Sequence, residues 1–507
     1  MVTQNSMSAT SSGARGIHPG SEKPKPFIDL RSIKGRLWNH GRSNESLENE
    51  SDLDCFLYDG FRRHGPQFVQ TVEGRFGAAH YDEENGLIFL CRDWIGEVPL
   101  HYYLTDSSLI VANRIFDLQK YLGPEYRYEF VRVVPQSHLI TIDAAEQYKF
   151  GMHARNTWNV DRHVLYYDFL RDANGAWMGD SDSMLEHVAA RIRSSLQSAV
   201  RERLEASRDG QPPAVLLSGG IDSLSVAYCL SKLEPRTIAY TLAVGKGGTD
   251  VARARQIADH FELEFRTVKL EPGSILNQYV DAVRQCELYH LPNVYCAVGM
   301  VALARALREH GIITAFCGEG VNEALGDYQD WIVKDPTSSA PLLLQRVDHE
   351  RMSEPAGRVR YVWGREHKEG RYNLQLGSGL AKHGIGRMVK PMIADGINLE
   401  CPYLDRKLMR YLVSIPKGRL DAIGGKPGLM SLVFRNEIDR GAIPKEFITN
   451  SQKIRLQDGS DLGEGGISPM LLAAGFDQKN TINIFNRLFG ATMNPDTDSE
   501  RLSLCSA

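Results

Sequence analysis

Leu216-Leu217-Ser218-Gly219-Gly220-Ile221-Asp222-Ser223 is the stretch whose reading decides the fold. Ahead of it, Ala214–Leu217 is a short apolar run. Behind it, helical spacing continues through Val226 to Leu233. Strand, tight turn and helix are the local expectation, because a buried strand reads as a brief apolar run and a helix as a 3.6-residue repeat. Glycines let the turn bend sharply and bring its backbone close to an anion with no Cβ in the way. The loop N–H groups and the helix N-terminus then face that anion. Ser218 and Ser223 add hydroxyl donors. Asp222 is wrong as a direct phosphate ligand and right for Mg²⁺ held against pyrophosphate. A bare Gly-Gly turn with a capping Asp or Ser would be an ordinary strand–helix junction. The full string in its strand–loop–helix setting is more specific. No GxxxxGK[ST] occurs, so it is not a Walker loop.

Moving outward, a strand is expected at Thr237–Val244, a helix at Asp250–Phe261 and a strand at Phe265–Leu270. A long helix follows through Val298–Arg308, then a strand at Ile312–Cys317 that again ends in Gly-rich sequence. Upstream, Leu185, Val188, Ala189, Ile192, Leu196 and Val200 follow helical spacing. Strands alternating with helices imply a doubly wound parallel sheet. Such sheets bind ligands at the carboxyl ends of their strands, where both Gly-rich segments fall. Beyond about residue 330 the pattern reads as mostly helical. On the other side, Phe27 to Tyr148 carries short apolar runs separated by turn signals: Gly77–His80, Leu87–Cys91, Leu100–Leu104, Leu109–Ala112 and Ser137–Ile142. The fold class expected is therefore α/β, a β-rich N-terminal domain joined to a C-terminal parallel sheet with a helical last part. The divisions expected are a disordered tail at 1–26, a β-rich domain at 27–150, a linker at 151–182 and the α/β domain at 183–507.

Composition narrows the function. The 507 residues suit two or three domains, with 42% hydrophobic and 24% charged residues, as in an ordinary globular protein. A net charge of −4 without a long basic run disfavours nucleic acid as a partner. No apolar stretch approaches the roughly 18 residues of a membrane helix, so no membrane partner is expected. The N-terminus lacks a signal-peptide apolar core. The eight cysteines include no CxxC pair, which speaks against zinc and against a secreted disulfide framework. A cytoplasmic setting is the expectation.

The Ser218–Ser223 string resembles the SGGxDS signature of the ATP-pyrophosphatases, a family that includes asparagine synthetase, argininosuccinate synthetase and GMP synthetase. That resemblance implies ATP cleavage between the α- and β-phosphates, with ATP and Mg²⁺ as the cofactors. Further segments resemble asparagine synthetase in the same order, over roughly Ile33 to Gly459. Gly74-Arg75-Phe76 with Tyr81-Asp82, and Arg92-Asp93-Trp94-Ile95-Gly96-Glu97-Val98-Pro99-Leu100-His101-Tyr102, are similar to the GxFAFALYD and RDxxGxxPLYY runs of its glutaminase domain. Gly318-Glu319-Gly320-Val321-Asn322-Glu323 is similar to its GEGSDE loop, and Pro402-Tyr403-Leu404-Asp405 to its PFLD segment. Lys426 and Lys453, the latter in Lys453-Ile454-Arg455-Leu456-Gln457-Asp458-Gly459, look like its GK and KxxxxDG lysines. The fold implied is an N-terminal-nucleophile glutaminase-like αββα sandwich, followed by a synthetase domain of the adenine-nucleotide α-hydrolase type.

The departures shape the functional expectation. The family's glutaminase needs a cysteine directly after the initiator Met. Val2 stands there, and the first cysteine is Cys55. Loss of glutaminase activity with retention of the domain is the expectation, and it is the pattern of β-lactam synthetases, which the Lys453–Gly459 run resembles. Those enzymes carry Tyr where Glu319 stands. Asn322 falls on the family's second Mg²⁺ aspartate; a neutral amide is a weaker ligand, so Glu323 is the alternative. Asn398 and Glu400 fall on the Glu and Arg of ExRxP. The charge reversal at Glu400 argues against an aspartate substrate and suits an amine.

The roles expected are Glu319 as base toward the attacking amine, and Lys453 as a cation for the oxyanion and the leaving AMP. Lys426 is a further catalytic candidate. Asp222, Asn322 and Glu323 are the metal candidates. Leu217, Ser218, Gly219, Gly220, Asp222, Ser223, Leu242, Val244, Asp250 and Gly318 are the nucleotide contacts. Each has a plainer reading: Lys453 as a solvated lysine, Glu319 as a carboxylate at a helix N-terminus, Leu242 and Val244 as strand core. The leading function is an AMP-forming ligase that closes an internal amine onto an adenylated carboxylate of a small amino-acid-like substrate, most simply a β-lactam of an antibiotic-type product. Amidation by ammonia or an external amine, a lasso-type peptide macrolactam cyclase, and an ATP-binding pseudoenzyme stay open. So does homodimerisation through the β-rich domain.

Overall fold

The computed structural model describes residues 15–16, 34–39, 59–82, 84–104, 109–134, 136–143, 159–165, 181–207, 210–244, 249–325, 384–449 and 471–495. In its N-terminal half the strands are β1 (Arg15–Gly16), β2 (Lys34–Asn39), β3 (Glu73–Asp82), β4 (Leu87–Arg92), β5 (His101–Leu104), β6 (Leu109–Ala112), β7 (Val131–Val133), β8 (His138–Asp143) and β9 (Asn159–Leu165). They pair antiparallel in two sheets, ordered β2-β3-β4-β8-β9 and β1-β6-β5-β7. The two-residue period of a strand sorts the side chains between two cores. Ala79, Ile88, Leu90, Ile140 and Ile142 face the second sheet, with Leu100, Tyr102, Leu109 and Val111. Phe76, Ala78, Phe89, Cys91 and Leu139 face the other way, onto Phe61 and Val69. Both faces are covered, which explains why β3 and β4 read as continuous apolar runs rather than alternating ones. Two of these strands fall outside the expected β-rich domain: β1 within 1–26 and β9 within 151–182.

The C-terminal half holds a second architecture. Strands β10 (Ala214–Leu216), β11 (Ile238–Val244), β12 (Glu264–Leu270), β13 (Thr314–Phe316) and β14 (Asn398–Glu400) form an all-parallel sheet, ordered β12-β11-β10-β13-β14. The described helices used below are α1 (Ile115–Leu122), α2 (Asp182–Glu205), α3 (Ile221–Leu233), α4 (Thr249–His260), α5 (Pro272–Cys286), α6 (Leu291–Glu309), α7 (Val321–Leu325), α8 (Ile385–Ala394), α9 (Arg406–Ser414), α10 (Gly425–Val433) and α11 (Gln478–Phe489). Ser181 caps α2 by accepting from the Met184 N–H, and Asp405 caps α9 by accepting from Lys407 and Leu408. The chain lays β11 and β12 on one side of β10, then crosses to place β13 and β14 on the other. Strand order therefore reverses between β10 and β13. A crevice at such a reversal is where doubly wound sheets bind ligands. Strand β14 falls in the part read as mostly helical: Asn398-Leu399-Glu400 is not an apolar run and, unlike β10 and β13, leads into no glycine-rich loop. Among the described residues no helix is long and apolar enough to cross a membrane.

The two halves are locked by buried contacts. Trp94 and Ile95 of the N-terminal half pack in the core of the parallel sheet. The Trp94 indole N–H donates to the Leu404 carbonyl at 3.1 Å. Arg75 on β3 donates to the Leu399 carbonyl at 2.8 Å and pairs with Glu400 at 2.9 Å. Arg203 of α2 approaches the other Glu400 oxygen at 3.9 Å and Asp405 at 3.8 Å. This position of Glu400 corrects the expectation that its charge serves a substrate amine: the side chain is 0% exposed and answers two arginines of its own chain. The Arg75 position explains the reversal, since the positive partner arrives from the N-terminal half. Glu97 lies in the same cluster, and burial pushes its carboxyl up to about 8 despite Arg75 and Arg203.

Candidate functional site

The loop after β10 closes on itself before any ligand is considered. Ser223 accepts from the Ser218 N–H at 3.2 Å, lies 3.1 Å from the Ser218 hydroxyl, and donates to the Gly220 carbonyl at 3.1 Å. Gly219 takes φ +76°, a left-handed turn that disfavours side chains, and a Cβ there would meet the Asp250 carbonyl at 3.0 Å. Asp250, in the first turn of α4, is thereby set against the glycine loop. Burial raises its carboxyl above the ordinary range, with Arg253 opposing. The expected nucleotide contacts Ser218, Gly219, Gly220, Ser223 and Asp250 are thus one assembly.

The loop after β13 joins it. Gly318 packs so tightly that a Cβ would fall 2.5 Å from the Asp222 carbonyl carbon and 2.7 Å from the Ser223 nitrogen. Only glycine allows the second loop this approach to the first. Lys426, in the first turn of α10, then bridges them: its ammonium donates to Asp222 Oδ2 at 2.8 Å and to Asn322 Oδ1 at 2.6 Å. Three elements distant in sequence converge on one point. Asp222 Oδ1 is buried with no hydrogen-bond partner among the described residues. A buried lone carboxylate oxygen beside a phosphate-type loop fits a divalent cation. Asn322 offers a neutral oxygen already engaged by Lys426, and Glu323 is buried in the first turn of α7.

Tyr403 extends the floor. Its hydroxyl lies 2.5 Å from the Ser225 hydroxyl, which donates to the Asp222 carbonyl at 2.7 Å. Burial and the Asp222 charge raise the phenol well above its ordinary range, so it stays neutral. Glu319 stands at the rim. Arg387 of α8 donates to it at 3.2 Å and to Asn293 Oδ1 at 3.2 Å. Asn293, itself buried, contacts His290 Nδ1 at 2.6 Å. Arg387, Asn293 and His290 were not anticipated. They lie in no recognisable signature, and no histidine showed paired ligand spacing.

The remaining candidates divide. Leu217 is buried in the core below the loop, and Leu242 packs partly buried against the same core. Both fit the plainer reading of strand-end core as well as a wall for adenine. Val244 ends β11, but its side chain lies outside the described residues. Lys453 and the whole run to Gly459 lie outside them too. Cys317 and Cys401, on the ends of neighbouring strands, hold their sulfurs 3.3 Å apart beside the site. Among the described residues no cluster of three or more His, Cys, Asp or Glu side chains suits a metal. The candidate cation position therefore rests on Asp222 with its immediate neighbours.

Comparison with known proteins agrees with this geometry. Residues 191–421 match the asparagine synthase family model and residues 29–120 the glutamine amidotransferase domain model. Human asparagine synthetase [glutamine-hydrolyzing] is 24% identical over 458 residues, covering 85% of this chain and 72% of that protein. Amidase chry2 of Gibberella zeae is 26% identical over 362 residues, 64% of this chain and 52% of that one. Asparagine synthetase B [glutamine-hydrolyzing] of Escherichia coli K12 is 24% identical over 318 residues, 59% and 52% respectively. The chain thus spans only about half the length of the last two. Among solved structures, an allosteric regulatory enzyme of purine biosynthesis aligns at 11% identity over 46% of this chain and 59% of that one. Its TM-score of 0.19 is too low to argue from.

Proposed function

We propose that this chain, whose residues 191–421 match the asparagine synthase family model, is an ATP-dependent ligase that adenylates a carboxylate, releases pyrophosphate and lets an amine displace AMP. The observation that carries this reading is the convergence of Asp222, Asn322 and Lys426 where the loops after β10 and β13 meet. The Ser218–Ser223 loop presents N–H and hydroxyl donors to phosphate oxygens. Asp222 and Lys426 fix the position of the phosphate chain and answer its charge. Mg²⁺, when bound, neutralises charge on the departing pyrophosphate; Asp222 is its holder, and Asn322 and Glu323 are the other candidates. Glu319, steadied by Arg387, is the group within reach of the loop that can take a proton from an ammonium so that it becomes a nucleophile. Lys453 is assigned the oxyanion and the leaving AMP.

In its finer form the proposal is ring closure. An amine within the substrate attacks the acyl-adenylate and forms a β-lactam or another small lactam of a specialised product. One feature supports an amine that does not come from glutamine: the Lys453–Gly459 run resembles that of β-lactam synthetases. The second reading, amidation by ammonia or an external amine, is favoured by Glu319 standing as it does in asparagine synthetase.

The test is to supply ATP, Mg²⁺ and carboxylates bearing an internal amine, then follow pyrophosphate and product mass. A product one water lighter than its substrate establishes ring closure. Pyrophosphate that appears only with an added amine replaces it with the intermolecular reaction. ATP binding with no pyrophosphate from any mixture would leave a nucleotide-binding protein without the ligase activity.

A further inference from the structure

Glu319 is held by a chain of contacts that leads away from the glycine loops. Arg387 of α8 donates to Glu319 through one terminal nitrogen and to Asn293 Oδ1 through the other, each at 3.2 Å. A guanidinium only donates, so this contact fixes which way the Asn293 amide faces. Its Nδ2 then meets His290 Nδ1 at 2.6 Å and donates to it. His290 and Asn293 are both buried. His290 lies in the turn Tyr289-His290-Leu291 that leads into α6. Gln478, the first residue of α11, holds that turn on both sides. Its Nε2 donates to the Tyr289 carbonyl at 2.6 Å, and its Oε1 accepts from the Leu291 N–H at 2.9 Å. A carbonyl accepts and an N–H donates, so the Gln478 amide has one orientation too. Each hydrogen bond on the way from Gln478 to Glu319 has a fixed direction.

We infer that Gln478 is a positioning residue for Glu319: by clamping the turn before α6, it holds the carboxylate where the attacking amine must meet it. The inference rests on the ligase reading above. Helix α11 lies beyond residues 191–421, the part that matches the family model. It is anchored independently of the turn it clamps. Ile482, Phe485 and Phe489 share a core with Tyr103, Ile110 and Ile115 of the N-terminal half. Tyr128 packs edge-on against Phe485 with ring centres 5.6 Å apart, and Gln119 of α1 donates to the Leu488 carbonyl at 3.0 Å. The clamp is thereby tied to the N-terminal half, which gains a part in the chemistry without any of its own. Glu319 and Arg387 are 16% and 18% exposed, open enough to meet a substrate. A carboxylate that nothing held would sample several rotamers. A base must stand within roughly 2.6–3.2 Å of the atom whose proton it takes, and a misplacement of about 1 Å can cost about a hundredfold. None of the contacts described for Gln478 lies at the glycine loops, so adenylation does not depend on it and the amine step does.

The full chain is given ATP, Mg²⁺ and whichever of the internal-amine carboxylates above releases most pyrophosphate. Carboxylate-dependent exchange of labelled pyrophosphate into ATP reads adenylation, and amide formed in a single turnover reads the amine step. Gln478→Leu is expected to slow amide formation by roughly tenfold to a hundredfold while exchange stays within about twofold. On a Glu319→Gln background the same substitution is expected to add no more than about twofold, because the two residues act as one unit. Thr481→Val is the control. It strips α11 of its hydrogen bonds to Tyr279 and the Asp477 carbonyl and leaves the turn alone, so both steps should be unchanged. Equal losses in the two steps of Gln478→Leu, or no loss in either, overturn the inference and leave the ligase reading standing. So does a fully additive loss on Glu319→Gln, or the same split from Thr481→Val. Should Gln478→Leu not fold, Gln478→Glu decides, since it keeps the acceptor for Leu291 and loses the donor for Tyr289. Slower amide formation with intact exchange is expected there, and rates equal to those of the unaltered chain overturn the inference. An unaltered chain that releases no pyrophosphate with any carboxylate sinks the ligase reading and this inference with it.

Discussion

Two charge clusters, one at the interface between the halves and one at the strand ends, are built on opposite principles. At the interface between the halves, Arg75, Arg203, Glu97, Glu400 and Asp405 are sealed from water and answer one another. At the strand ends, Asp222, Asn322 and Lys426 are only partly buried, and one Asp222 oxygen has no hydrogen-bond partner among the described residues. The sealed cluster is closed chemistry that fixes where the domains sit. The open one is held ready for something from outside. Both contain a departure from the asparagine synthetase pattern. Glu400 is explained inside the protein by Arg75, while Asn322 accepts from Lys426 at the site and has no such internal explanation.

The comparison can be broken most sharply at the open cluster. Asp222→Ala removes the candidate cation ligand and the partner of Lys426. Substrate-dependent pyrophosphate release is expected to fall by about two to three orders of magnitude, with the melting temperature nearly unchanged. The sealed cluster should respond in the reverse way. Arg75→Ala leaves Glu400 short of its closest cation, at a cost of about 3–5 kcal/mol in urea unfolding. Arg75→Met with Glu400→Leu should recover most of that loss, because an apolar pair needs no charge partner; no recovery would mean the pair does more than join the halves.

Smaller effects sharpen the picture. Gly318→Ala must push the second loop off the Asp222 backbone. Nucleotide affinity should drop by about tenfold, roughly the 1–2 kcal/mol of a modest overpacking strain, as read by titration with α,β-methylene-ATP. Glu97 predicts a pH dependence. Its carboxyl is raised from the ordinary 4.5 to about 8 in the folded chain, so the folded state binds a proton that the unfolded chain has lost. Stability should therefore fall as pH rises from about 4.5 to 8, then level off. Glu97→Gln should flatten that slope in denaturant midpoints taken across the window; an unchanged slope would assign it to other groups.

Much of the parallel sheet was legible in the sequence, because β10 and β13 each run into a glycine signal that only backbone chemistry explains. The turn glycines Gly219 and Gly220 and the loop glycine Gly318 mark sites of close approach. The apolar runs before them are long enough to be read. Lys426 was legible as a candidate, but its meeting with Asp222 and Asn322 was not, since it depends on how α10 folds back across 204 residues. Strand β14 was missed because Asn398-Leu399-Glu400 has polar ends and runs into no glycine loop, unlike the equally short β10 and β13. Arg387 and Asn293 were missed because a side chain that positions another leaves no spacing of its own. Glu400 was misjudged for a related reason: a charge at a known position was read against an expected ligand, whereas its partner, Arg75, comes from the other half of the chain.

The central claim is that the meeting of the two glycine loops cleaves ATP between its α- and β-phosphates. The most direct measurement is to identify the nucleotide products by phosphorus magnetic resonance while the protein turns over a carboxylate that bears an internal amine. The account predicts AMP and pyrophosphate in equal amounts, lost in Asp222→Ala. ADP with inorganic phosphate, or AMP formation that survives Asp222→Ala unchanged, would contradict it.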